Sequence, residues 1–176
     1  MSVSIEGHAI VSADGMIAAA DSTMPDGLRC EADWMRFQRA LDAAVLVVLG
    51  RKAHERFPNP GRRRLVVTSG VANLEREPGD VRVALWNPAG LDFSQVLVRL
   101  GILSGTIAIA GVFDVFLDRF TAFDLTEVPD LTIPGGQRCF SGGLPREVLA
   151  RAGMRAGAPE VLDPARKIIQ TRWKRG

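Results

Sequence analysis

Val47-Val48-Leu49-Gly50-Arg51-Lys52-Ala53-His54-Glu55 is an apolar, β-branched run that stops at a glycine and turns at once into charged residues. The apolar part, Val45 to Leu49, is too short for a helix and suits a buried strand, while Lys52 to Phe57 carries the spacing of a short helix. A strand that feeds a helix rather than a tight hairpin is the repeating unit of a parallel sheet. Working outward, Ile5 to Val11, Leu65 to Val67, Val81 to Leu85 and Thr106 to Ala110 predict further strands. Glu31 to Ala44, Phe93 to Leu100 and Val112 to Phe120 predict the helices between them. Asp124 to Val128 and Ile168 to Trp173 read as strands across a helix-poor connection punctuated by Pro134-Gly135-Gly136 and Ser141-Gly142-Gly143. The expectation is an α/β fold of three layers, α/β/α. Its central sheet is mostly parallel with an antiparallel C-terminal edge, in one domain over residues 1–176.

Composition narrows the function classes. The chain is 47% hydrophobic and 24% charged, enough for one sizeable core. A formal charge of +2 gives no reason to expect nucleic acid or an anionic membrane as partner. No apolar stretch reaches membrane-spanning length, and the first residues lack a basic segment followed by an apolar one, so a cytoplasmic location is expected. Cys30 and Cys139 have neither metal-ligand nor redox spacing, and no metal is expected. His8 and His54 are isolated in sequence, so neither a metal site nor a triad is predicted from them; His8 is placed near the core and His54 in the short helix. Phosphate-loop and nucleophile-elbow motifs are absent, which removes kinase and hydrolase readings.

Ligands of such sheets bind outside the carboxyl ends of the strands, so the strand exits hold the candidate chemistry. The first is Ile10-Val11-Ser12-Ala13-Asp14-Gly15-Met16-Ile17-Ala18, a strand entering an Asp-Gly turn, followed by Met24-Pro25 and then Glu31 and Trp34 at a helix start. Read together, these segments resemble the substrate-binding stretch of dihydrofolate reductases. In that family a Met-Pro pair precedes a helical Asp or Glu, itself followed three residues later by Trp or Phe. The resemblance assigns Glu31 as catalytic anchor, with Ala9, Ile17, Leu28 and Met35 as further substrate contacts. A carboxylate suits a pterin because the ring presents its 2-amino group and N3–H side by side.

Three more segments resemble the same superfamily in order. Gly50-Arg51-Lys52 follows its strand as the family's Gly-Arg stretch does, with Ala53 where the family often has Thr. Pro60-Gly61-Arg62 resembles the turn whose Arg pairs with the glutamate tail of folate, and Thr68-Ser69 the strand end beside the adenosine 2′-phosphate. Ala110-Gly111-Val112 resembles the Gly-Gly loop at the nicotinamide and pyrophosphate, with Ala110 in place of the first glycine. The resemblance therefore implies a dihydrofolate reductase-like fold and NADPH as cofactor. Its cofactor contacts would be Ala18, Gly50, Arg51, Lys52, Thr68, Ser69, Ala110, Gly111 and Val112, and its substrate tail contact Arg62. The implied reaction is hydride transfer to dihydrofolate or a related dihydropterin. Ser12-Ala13-Asp14-Gly15 with Ile17-Ala18 also resembles the pyrimidine reductase domain of riboflavin biosynthesis, and a non-catalytic nucleotide- or pterin-binding protein of this fold is the remaining alternative. A small-molecule partner is expected and a homodimer left open. Leu144 to Gly176 offers nothing that ties to chemistry, and Trp173 reads as a packing anchor.

Overall fold

Neighbouring parallel strands must be joined by helices or other long crossovers, and the central apolar runs of this chain are separated by such connections. The computed structural model, which describes residues 2–176, has this arrangement. The chain begins with β1 (Val3–Ser12), β2 (Met16–Ala18), a 3-10 turn (Asp26–Leu28), α1 (Glu31–Ala43), β3 (Leu46–Gly50) and α2 (Arg51–Arg56). It continues through β4 (Arg64–Val67), β5 (Leu74–Arg76), β6 (Val83–Trp86), α3 (Phe93–Leu100), β7 (Gly105–Ile109) and a second 3-10 turn (Phe113–Phe116). It ends with β8 (Ala122–Val128), β9 (Gln137–Arg138), α4 (Pro145–Arg151), β10 (Met154–Ala156), β11 (Glu160–Asp163) and β12 (Ile168–Arg175).

The main sheet has the order β10-β12-β8-β1-β7-β3-β4-β6-β5, with β11 also on β12. The six strands from β8 to β6 are parallel to their neighbours. Antiparallel strands close it at both ends, β12 against β8 and β5 against β6. The expected C-terminal antiparallel edge is present; the second one, at β5, falls in three residues, Leu74-Glu75-Arg76, with too little apolar content to announce a strand.

Alternation along the central strands sorts the core into two faces. Leu46, Val48, Leu65, Trp86, Ile107 and Ile109 point to one, where Phe93 and Val96 of α3 and Val148 and Leu149 of α4 cover them. Val47, Leu49, Val66 and Ala108 point to the other, beneath Phe37 and Leu41 of α1 and Ala53 of α2. Trp173 is buried in the first of these cores. Gly7 permits the closest approach within it: a Cβ there would lie 2.3 Å from the Phe123 ring.

Two expected elements differ. The helix foreseen over Val112 to Phe120 is only the single 3-10 turn Phe113–Phe116, entered through Val112 at φ 50° and ψ 42°. That left-handed backbone is strained for a β-branched residue, and it turns Phe113 and Phe116 together into the core instead of starting an α-helix. The connection read as helix-poor contains α4, with Pro145 at its first turn and Val148 and Leu149 buried. Its seven residues are too few for helical periodicity to stand out beside the preceding glycines.

Candidate functional site

Both α1 and α2 lie on one face of the sheet, and the exits of β3, β4 and β7 open between them. The result is a cavity of about 530 Å³, within the range of small-molecule sites. One wall is made of strand exits: Gly50, Arg51 and Lys52 after β3, and Ala110, Gly111 and Val112 after β7. Gly50 and Gly111 back onto each other, a Cβ on Gly111 falling 3.9 Å from the Gly50 nitrogen. The Ala110 methyl is partly taken up by packing beneath α1 and α2. Arg51 pairs with Glu55 at 2.9 Å and reaches Thr68 Oγ1 at 3.5 Å. Among the described residues Lys52 has no ion-pair partner.

The opposite wall is the sheet itself, where β1, β8 and β12 carry two polar rungs. In the first, His8 stands opposite Asp124 and Asp124 opposite Arg172; in the second, Ile10 stands opposite Thr126 and Thr126 opposite Gln170. Residues two apart share a face, so both rungs present the same side toward α1. His8 Nδ1 lies 3.3 Å from Asp124 Oδ2, and Arg172 donates to Asp124 at 3.0 Å and to Glu6 at 2.9 Å. Burial works to raise the Asp124 pKa, but the hydrogen bond from His8 and the charge of Arg172 outweigh it and hold it below the usual carboxylate range.

Asp33 of α1 closes the second rung. Arg36 donates to Gln170 Oε1 at 2.8 Å, Gln170 donates to Thr126 Oγ1 at 3.0 Å, and the Thr126 hydroxyl donates to Asp33 Oδ1 at 2.5 Å. Burial pushes the Asp33 carboxyl above its ordinary range, against the lowering effects of Thr126, His8 and Arg36. A cavity-facing carboxyl with one oxygen fixed and its pKa raised by burial is the arrangement expected of a group that meets a ligand.

The described part of the chain resembles solved structures over nearly its whole length. A protein of Shewanella sp. PV-4 assigned to riboflavin biosynthesis superposes with a TM-score of 0.67 at 17% identity, over 98% of this chain and 99% of that one. A dihydrofolate reductase of Enterococcus faecalis, complexed with NADP(H) and RAB-propyl, superposes with a TM-score of 0.68 at 17% identity, over 98% and 96%. This is the dihydrofolate reductase fold. A diaminohydroxyphosphoribosylaminopyrimidine deaminase/5-amino-6-(5-phosphoribosylamino)uracil reductase of Thermotoga maritima has the same fold, with a TM-score of 0.67 at 15% identity, over 98% of this chain and 56% of that longer one. No protein-family profile and no curated protein sequence matches the chain. No helix among the described residues is long and apolar enough to cross a membrane.

Within the dihydrofolate reductase fold, several expected site residues meet at the cavity and others do not. Ala9, Ile17 and Ala18 line it beside the two strand-exit segments. The turn that delivers Ile17 is the Asp-Gly turn: Gly15 has φ 81°, and Asp14 accepts from Ser12 Oγ and from the Ile133 nitrogen. Glu31 does not line the cavity. It is the exposed first residue of α1, about 200° around the helix from Asp33 at 3.6 residues per turn. Met35, two residues beyond Asp33, stays out of the cavity lining for the same reason, whereas Asp33 and Phe37 line it and Trp34, 55% exposed, stands at its rim.

Leu28, ending the 3-10 turn, is fully buried in a separate core with Val128, Ile133 and Ile168. Arg62 lies outside the cavity, its guanidinium donating to Asp42 at 2.7 Å and to Gln38 at 2.9 Å. Thr68 and Ser69 sit just beyond cavity-lining Val67, Thr68 buried and accepting from the Gly70 nitrogen, Ser69 exposed. The segment after Leu144, read as chemically silent, supplies Gln170 and Arg172.

Asp33 had a signal in the sequence, since with Phe37 and Leu41 it forms the i, i+4, i+8 inward stripe of α1. His54, as expected, lies in α2, paired with Glu77 at 2.9 Å. His8 is not simply a core residue but part of the cavity wall.

Proposed function

We propose that the chain is an NADPH-dependent reductase of a dihydropterin or a closely related heterocycle, with Asp33 in the role first read onto Glu31. The observation that carries this reading is Asp33: a carboxyl held by Thr126, facing a cavity whose other wall is glycine and cation. A carboxylate accepts two parallel hydrogen bonds, the pattern of a 2-amino group beside a ring N–H. The residues also suit the cofactor: Gly50 and Gly111 leave the wall without side chains, and Arg51, Lys52 and Arg56 bring positive charge to the same cavity. Bound there, NADPH would supply a hydride from its nicotinamide. Arg51 and Lys52 would hold phosphate, with Thr68 and Ser69 beside them, while Ile17, Trp34 and Phe37 would exclude water from the ring.

Arg62 is engaged by Asp42 and Gln38 away from the cavity, which favours a dihydropterin without a glutamate tail over dihydrofolate. The raised pKa of Asp33 sustains a second reading. Burial favours its neutral form, and when protonated it would donate and accept at once, which matches the lactam edge of a uracil-type pyrimidine. A panel assay following loss of NADPH absorbance separates these. Turnover is expected with 7,8-dihydropterin, less with dihydrofolate, and with a ribosylaminouracil-type pyrimidine, whose ribosyl group can accept hydride, only if the second reading holds. Failure to bind NADPH, with no turnover of any of the three, would end the reductase reading.

A further inference from the structure

The His8 side chain is only 9% exposed, yet it lines the cavity, and its Nε2 is buried with no hydrogen-bond partner among the described residues. A buried imidazole nitrogen without a partner is costly and rare enough to need an explanation. The other nitrogen has one: Nδ1 faces Asp124, which fixes it as the donor and the orientation of the ring. Phe37 packs against the imidazole with ring centroids 6.1 Å apart, one helical turn beyond Asp33. His8, Asp124 and Asp33 all line the cavity, and His8 is close enough to Asp33 for its charge to act on that carboxyl.

A metal reading of this cluster fails on charge. Glu6, His8 and Asp124 offer ligand atoms within 4.8 Å of one another, but Arg172 already bridges the two carboxylates at 2.9 and 3.0 Å and stands where a cation would. The charged groups around His8 are Asp124 on β8, Glu6 on β1, Arg172 on β12 and Asp33 on α1, with Arg36 acting on Asp33 in turn.

We propose that His8, held by Asp124, is a second recognition point of the cavity, carrying a proton on Nε2 to an acceptor of the heterocycle whose donor edge meets Asp33. The inference rests on the reductase reading for the class of ligand, a 2-amino-4-oxo ring that offers both edges. With Nδ1–H committed to Asp124, neutral His8 has only a lone pair at Nε2. To donate to an oxo group or ring nitrogen it must take a proton from solvent, which remains on the imidazole while Asp124 stays ionised. Asp33 contributes with the opposite sign, because donors binding to it favour its ionised form and release a proton.

The test uses pterin, 2-amino-4-oxopteridine, as probe on the intact protein. Calorimetry in two buffers of unlike ionisation enthalpy counts protons exchanged on binding. The wild type is expected to take up more than His8→Gln, by as much as about one proton, since Gln can replace the hydrogen bonds but not the charge. His8→Gln is expected to bind about tenfold more weakly, the scale of one hydrogen bond to a charged group. The chain has two histidines, so imidazole NMR signals of the wild type, with no substitution, give an independent readout. Those of His8 should shift on binding and those of His54 should not. Binding of pterin with equal proton counts in both proteins and unmoved His8 signals overturns the inference and leaves the reductase reading intact. Absence of pterin binding in wild type and Asp33→Asn alike overturns both.

Discussion

The wall carrying Gly50, Arg51, Lys52, Gly111 and Val112 consists of two short stretches of contiguous chain, each the exit of one strand. The facing wall draws His8, Asp124, Thr126, Gln170 and Arg172 from three strands, and its farthest contact, Arg172 to Glu6, joins residues 166 apart. The first works largely through what the backbone permits and through solvated cations, so its character survives small changes of position. The second depends on register: a slip of one residue in β8 or β12 would turn Asp124, Thr126 or Arg172 to the other face of the sheet. Chemistry that tolerates displacement is placed on loops, and chemistry that needs fixed hydrogen bonds on strand rungs.

The strongest way to break this comparison is Asp33→Asn, which removes the charge where the register-built wall meets α1. Hydride transfer in a single turnover is expected to fall by about two orders of magnitude or more, with NADPH affinity retained. Stability moves the other way. The folded-state pKa of Asp33 is raised, so its contribution is full below the unfolded-state pKa and is lost as pH rises through the folded value. At neutral pH the buried charge is a cost, and Asp33→Asn should melt higher than wild type there, with the advantage vanishing in acid. A lower melting temperature at every pH would mean that Asp33 is structural.

Arg172→Leu tests the register-built wall without touching Asp33. It leaves Glu6 without its cation and Asp124 with His8 alone, and after solvent screening of a side chain that is 41% exposed the loss should be about 2 kcal/mol in urea unfolding. An unchanged midpoint would remove the bridge from the account of the site. Lys52→Ala sharpens the other wall: NADPH affinity should fall about tenfold and NADH affinity hardly at all, with stability unchanged. Equal losses for the two cofactors would place Lys52 away from the extra phosphate. The smallest effect is expected from Arg62→Ala, about 1 kcal/mol or less of stability and no preferential loss of dihydrofolate over dihydropterin in competition binding. A selective loss of dihydrofolate would return Arg62 to the substrate tail.

Contiguity decided what could be read in advance. Gly50 to Lys52 and Ala110 to Val112 are visible as strand exits in any short window, and both line the cavity. Glu31 was chosen by its interval from Met24-Pro25, but the 3-10 turn Asp26–Leu28 and the two residues after it bring α1 in at an angle that points Asp33 inward instead. Leu28 looked like an apolar wall and is buried elsewhere, because apolarity says that a side chain is inside without saying which core receives it. Arg62 looked free to meet a carboxylate; a folded chain supplies its own, here Asp42.

By itself the sequence determined the mostly parallel α/β architecture, the succession along the chain of its central strands, and the two glycine-bearing exits that open the cavity, because all of these follow from local periodicity and turn chemistry. Only the tertiary structure decided that the Asp33-Phe37 stripe of α1 faces this cavity, that the chain after Leu144 completes the site with Gln170 and Arg172, and that His8 stands opposite Asp124. Those facts depend on helix rotation and strand register, which are set by packing summed over the whole sheet, and no window of a few residues contains them.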